Sequence, residues 1–149
     1  MHTTHTEAID FPPGVIWQCV RCATCCGDTS THVRRILLLG EEARKIAQTT
    51  GLDLEKFSKE ATDSVPYSRE IRKNRGKCVF LRDNTCQIYE HRPLVCRFFP
   101  FGVARQKDRL TFYLTKEPCQ GLGRGEELDK RFYASLLKNA RKRMEGVQT

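Results

Sequence analysis

Apolar positions in this chain come in short runs set between charged stretches, and the spacing of those runs predicts the elements. THVRRILLL, residues 31–39, is apolar and β-branched enough for a strand, and Gly40 breaks it. EEARKIAQTTG then predicts a helix with acids in its first turn, Ala43, Ile46 and Ala47 on one face, and Gly51 as its stop. DLEKFSKEAT predicts a second short helix capped by Asp53. In KCVFLRDNTCQIYE two apolar runs flank the turn signal Arg82-Asp83-Asn84, which predicts a small hairpin carrying Cys78 and Cys86. RLTFYLT, residues 109–115, reads as a strand, and Gly121, Gly123 and Gly125 as a loop. Residues 126–144 carry the longest helical pattern, with Leu128, Phe132, Leu136 or Leu137, Ala140 and Met144 as the buried stripe. Residues 1–13 are polar and end in Pro12-Pro13, so they read as a flexible N-terminal arm, with order beginning near Val15 to Trp17. The expectation is a small single α+β domain over residues 14–149. Short strands and a hairpin would surround one or more cysteine metal centres, packed by two or three helices.

Composition narrows the setting. No apolar run approaches the roughly 18–20 residues needed to cross a bilayer, so no membrane insertion is expected. MHTTHTEAID lacks the features of a secretory signal, and the expected location is cytoplasmic. The formal charge of +8 counts every cysteine as neutral; with two tetrathiolate centres the loaded protein would carry about +4. Residues 67–77, YSREIRKNRGK, read as an exposed basic loop able to meet an acidic partner. That loop and the ARKR run at 140–143 have little aromatic interleaving, so a nucleic-acid partner is not expected.

Eight cysteines are the chain's most informative feature. Cytosolic thiols are kept reduced, which favours metal ligation over a disulfide framework. CVRCATCC places Cys19, Cys22 and Cys25 at the spacing by which one turn of backbone offers successive thiolates to one centre. Cys26 follows directly, and consecutive side chains usually diverge, so one of the pair is expected to serve a second centre. The remaining thiols are Cys78, Cys86, Cys96 and Cys119. The preferred partition gives Cys19, Cys22, Cys25 and Cys96 to one centre and Cys26, Cys78, Cys86 and Cys119 to the other. One cluster using half the thiols is the alternative, the rest being free or redox-active. Around Cys96, in IYEHRPLVCRFFPFG, Pro93 would stiffen the approach and Phe98, Phe99 and Phe101 would exclude water. Arg92 and Arg97 would offset the charge of bound thiolates. His91 reads as a surface or supporting residue rather than a ligand, and His2 and His5 as tail residues. No catalytic nucleophile with a dependable base, and no nucleotide loop, is identified.

CVRCATCC, GKCVFLRDNTCQIYEHRPLVCRFFP and PCQGLGRG together resemble the YkgJ-type cysteine-cluster family, the CxxCxxCC zinc- or iron-chelating proteins, from about Gln18 to Gly125. The resemblance implies metal chelation by these cysteines, as iron–sulfur clusters or zinc. Members have been called oxidoreductases by association, and a related cluster occurs in flagellin lysine N-methylases. GLGRG alone is too weak a signal for an S-adenosylmethionine loop, so methylase activity does not carry over. The expected cofactor is one or two iron–sulfur clusters of [4Fe–4S] type, with Zn²⁺ as the alternative. The expected partner is a redox protein or enzyme of unknown identity.

Overall fold

The computed structural model describes residues 8–21, 24–30, 32–115 and 119–145. Cys22 and the first seven residues of the expected arm lie outside them. In chain order the elements are β1 (Ala8–Asp10), β2 (Ile16–Trp17), a 3₁₀ turn (Thr24–Cys26), β3 (Leu37–Leu38), α1 (Gly40–Thr50) and α2 (Leu54–Phe57). Next come β4 (Ser58–Glu60), β5 (Arg69–Ile71), β6 (Lys73–Asn74), β7 (Lys77–Cys78), β8 (Leu81–Arg82), β9 (Thr85–Cys86) and a 3₁₀ turn (Tyr89–His91). The chain closes with α3 (Leu94–Phe98), β10 (Phe101–Gln106), β11 (Arg109–Leu114), β12 (Leu122–Glu127) and α4 (Lys130–Met144). The architecture is α+β, with small sheets ordered β1-β11-β10 and β3-β5-β4 and strand pairs β12-β2, β6-β7 and β8-β9.

α1 forms where its pattern predicts. Glu41 and Glu42 sit in its first turn against the positive end of the helix dipole. Glu42 reaches back to accept from the Leu39 N–H at 2.9 Å, and Gly51, at φ 74°, closes the helix by donating to the Ala47 carbonyl. α2 is shorter than its pattern suggests. At Ser58 the chain turns into β4, whose backbone pairs with β5, while the Ser58 hydroxyl donates to Leu54 O at 2.7 Å and accepts from Arg69 Nε at 2.6 Å. The expected long strand over residues 31–39 is confined to β3. The basic 67–77 segment is not a plain loop either: β5, β6 and the start of β7 take up most of it.

Two further expectations change. The supposed arm is ordered from residue 8, because Ala8–Asp10 aligns parallel with β11, the Asp10 carboxylate pairs with Arg109, and Phe11 stacks on Tyr133 at 4.7 Å. Residues 122–127 form a strand against β2 rather than a glycine loop, so α4 starts at Lys130, capped by Asp129, which accepts from the Phe132 N–H. Its buried stripe is Tyr133, Leu137 and Ala140.

Apolar burial divides into two clusters. One packs Ile36, Leu38, Ile46, Phe57, Ile71, Phe80 and Ile88 around the thiols Cys26, Cys78 and Cys96. The other packs Val15, Phe101, Leu110 and Phe112 against Tyr133 and Leu137 of α4. Between them runs a buried polar link. Glu42 Oε2 accepts from Arg143 Nη1 at 2.6 Å and from the Leu94 N–H at 2.7 Å, and Arg143 also donates to Arg92 O at 2.9 Å. One carboxylate thereby ties α1, α3 and α4 together.

Candidate metal centre

Local backbone rules bring the thiols together from four directions. Cys25 and Cys26 close the Thr24–Cys26 turn, Cys78 ends β7, Cys86 ends β9, and Cys96 sits in α3. Gly27 lets the chain after Cys26 press on the β6–β7 turn, since a Cβ there would meet Gly76 O at 2.7 Å and Lys77 Cα at 3.3 Å. The approach is pinned by Asp28, whose N–H donates to Gly76 O at 2.8 Å. Its carboxylate accepts from the Arg34 N–H at 2.7 Å and from Lys73 Nζ at 2.6 Å. In the β8–β9 hairpin, Asp83 and Asn84 both take the left-handed conformation (φ 52° and 59°) that a tight turn between twisted strands requires. Pro93 opens α3, where its carbonyl accepts the Cys96 N–H at 3.0 Å.

Four thiols form one connected chain. Cys25 is hydrogen-bonded to Cys26 and to Cys96, and Cys26 also to Cys86. The adjacent pair therefore does not diverge: both thiols of the turn enter the same basin. Bonds from Cys26 and Cys96 hold Cys25 well below the usual thiol pKa, helped by the positive charges of Arg34 and Arg92 and opposed by burial. Sharing its one proton between Cys25 and Cys86 pushes Cys26 upward, donating to Cys25 does the same to Cys96, and burial adds to both. Acceptance from Cys26 brings Cys86 down to about 7. Cys78 stands behind the quartet, where burial pushes it up to about 11, and its sulfur accepts from the Phe80 N–H at 3.4 Å.

A cavity of about 50 Å³ opens onto this group, lined by Cys19, Cys25, Cys26, Cys86, Cys96 and Cys119. Toward its mouth the Tyr89 hydroxyl donates to Cys19, and Trp17 Nε1 donates to Cys119 Sγ at 3.3 Å. Trp17 also meets Phe101 edge-on at 5.5 Å, joining the cavity wall to the second apolar cluster. The donor set suits a thiophilic metal, with many sulfurs, few competing oxygens, and apolar walls at Trp17 and Phe99. Cys25 meets Cys26 and Cys96, and Cys26 meets Cys86. Among the described residues no three His, Cys, Asp or Glu side chains are spaced for a single ion, so ligation requires the shared protons to leave and the side chains to turn outward. No disulfide joins the described cysteines.

Of the two arginines expected beside the metal, Arg92 lines the cavity. Arg97 does not; its Nη2 donates to Glu90 O at 3.2 Å, and burial, followed by Arg143 and Arg92, lowers its pKa. His91 is half-buried and also stands outside the cavity wall. The residue that sequence reasoning missed is Arg34. It donates to Cys25 O at 3.0 Å and to Val95 O at 3.2 Å, so its charge sits against two thiol-bearing segments. Its position in THVRRILLL carried no signal, because a strand pattern does not say which element its basic residues will meet.

No solved structure matches this chain at a significant level. Two uncharacterized proteins of Methanocaldococcus jannaschii are similar to it. One is 33% identical over 83% of this chain and 69% of its own length. The other is 29% identical over 76% of this chain, which spans only 39% of that relative. A family model described as "Putative zinc- or iron-chelating domain" matches residues 18–120, from the residue before Cys19 to the residue after Cys119. The chain therefore belongs to the CxxCxxCC family of metal-chelating domains.

Proposed function

We propose that this chain is an iron–sulfur protein in which Cys25, Cys26, Cys86 and Cys96 hold a [4Fe–4S] core, and that it exchanges electrons with a partner redox protein in a reducing, cytoplasmic setting. The observation that carries the reading is the connected thiol quartet at the floor of one cavity. A cubane cluster takes four thiolates, and with a 2+ core it carries about −2. Arg34 and Arg92, the cations acting on Cys25, match that charge. One zinc ion also takes four thiolates, but it draws each sulfur to about 2.3 Å. A cavity of about 50 Å³, against the ~10–15 Å³ that one water needs, suits a core of several atoms better. A bound cluster would supply one-electron chemistry. The chain's own residues would position it and exclude water, with Trp17 and Phe99 as the apolar wall and Arg34 and Arg92 as counter-charge. No described helix is long and apolar enough to cross a membrane.

The test is to reconstitute Cys25→Ser and Cys78→Ser anaerobically with iron and sulfide. Cys25→Ser should lose nearly all cluster iron and labile sulfide, because serine is a poor ligand at the centre of the quartet. Cys78→Ser, altered behind the quartet, should keep most of both while retaining the wild-type circular dichroism. Full iron and sulfide in Cys25→Ser would remove the quartet from the centre.

A further inference from the structure

The cavity lining includes Arg21 besides Arg92, one of the two arginines that act on Cys25. The Arg21 guanidinium lies 3.7 Å from the centroid of the Tyr89 ring, and that of Arg92 lies 3.9 Å from the same point. Two planar cations that close to one centroid must occupy opposite faces, so Tyr89 is sandwiched between like charges. Stacking uses the face of a guanidinium; Arg21 gives one N–H to the Tyr89 hydroxyl, and the rest of its edge is left to grip an oxyanion. Neither arginine has a carboxylate partner among the described residues, whereas Arg35, Arg69, Arg109 and Arg143 all do. Arg92 donates from Nε to Tyr89 O at 3.0 Å, which leaves its terminal nitrogens for a ligand. Arg34 and Arg92 are the cations that act most on Cys25. Arg21 also holds a left-handed backbone, φ 56°, which long side chains rarely adopt.

We infer that the Arg21–Tyr89–Arg92 stack binds a small organic carboxylate at the entrance of the thiol cavity; what that ligand does there rests on the metal-centre reading, but its binding does not. The paired guanidinium edges take the carboxylate. Asn84 and Thr85 offer further polar groups, and Val20 and Trp17, on the same rim, take a short apolar body. The apolar side chains of that rim disfavour the more strongly hydrated phosphate dianion.

The probe is n-butyrate, titrated by calorimetry into the anaerobically purified 149-residue chain, with inorganic phosphate in parallel. Fluorescence of Trp17, the chain's only tryptophan, provides a second readout at the rim. Butyrate should bind saturably, one per chain. Arg21→Gln should weaken it by about 10-fold or more, and Arg21→Lys should fall between, since lysine keeps the charge but loses the fork. Metal content should stay unchanged in both variants. Absence of saturable binding, equal affinity in Arg21→Gln, preference for phosphate, or loss of metal in Arg21→Gln would each overturn the inference. Iron and sulfide counted in the same samples separate its failure from failure of the cluster reading, because the titration is readable whatever metal is present.

Discussion

Glu42 shows how much one side chain can carry in a small domain. Its carboxylate is 7% exposed and takes the N–H groups of Leu39 and Leu94 together with the Arg143 guanidinium. Glu42→Ala leaves the half-buried Arg143 without its counter-ion and the Leu39 and Leu94 N–H groups without their acceptor, and should cost about 1–3 kcal/mol. Glu41→Ala, losing an exposed pair with Arg44 and one negative charge at the start of α1, should cost under about 1 kcal/mol. Urea denaturation of the two variants checks both. Asp28 gives a pH signature. The hydrogen bond from Lys73, then that from the Arg34 N–H, hold its pKa below the usual carboxylate value. Its contribution is therefore present above the ordinary unfolded value of about 4 and is lost as pH falls through the lower folded value. Asp28→Asn should flatten that acid limb in a pH series of thermal melts; an unchanged limb would show that the Asp28 contacts do not contribute. At this scale the gathering of Cys19, Cys25, Cys26, Cys86, Cys96 and Cys119 around one cavity was legible, because thiol spacing is a direct chemical signal. Arg34 and Glu42 were not, because their partners lie 61 and 101 residues away along the chain.

Elements were legible where local chemistry decides them. α1 has acids at its start and glycine at its stop, and the β8–β9 hairpin has Asp83-Asn84 at a turn that both residue types tolerate. β12 was not legible, since LGRGEE has the composition of a loop and becomes a strand only by pairing with β2. β10 was missed too: only Phe101 of its six residues is fully buried, so the run shows little alternation. The β2–β12 pairing sets the cavity rim. A Cβ on Gly121 would meet Gln18 O at 2.1 Å and Trp17 Nε1 at 3.0 Å. Gly121→Ala should therefore push the strands apart at a cost of about 1–3 kcal/mol and lift Trp17 from Cys119. A red shift in tryptophan emission with a lower urea midpoint is the expected result; wild-type values for both would show that the rim adapts.

At the level of the whole molecule, the thiols belong to the core itself. Cys26, Cys78 and Cys96 sit within one apolar cluster, and the Trp17 contact leads from Cys119 into the other. Ligands drawn from segments far apart in sequence make metal binding part of the folding free energy. Stripping the metal should lower the melting temperature and reduce helical circular dichroism; an unchanged melt in verified metal-free protein would make the centre an accessory to a domain already stable. The fold class was legible from the alternation of short apolar runs and helical stretches. The meeting of the two adjacent thiols in one basin was not, because it depends on how the Thr24–Cys26 turn packs against Cys86 and Cys96. The measurement that tests the central claim most directly is iron, zinc and acid-labile sulfide per chain in anaerobically purified wild-type protein. The account predicts brown protein with iron and sulfide in equal amounts, near four of each for one [4Fe–4S] core. Colourless protein holding stoichiometric zinc, unchanged after anaerobic reconstitution with iron and sulfide, would contradict it.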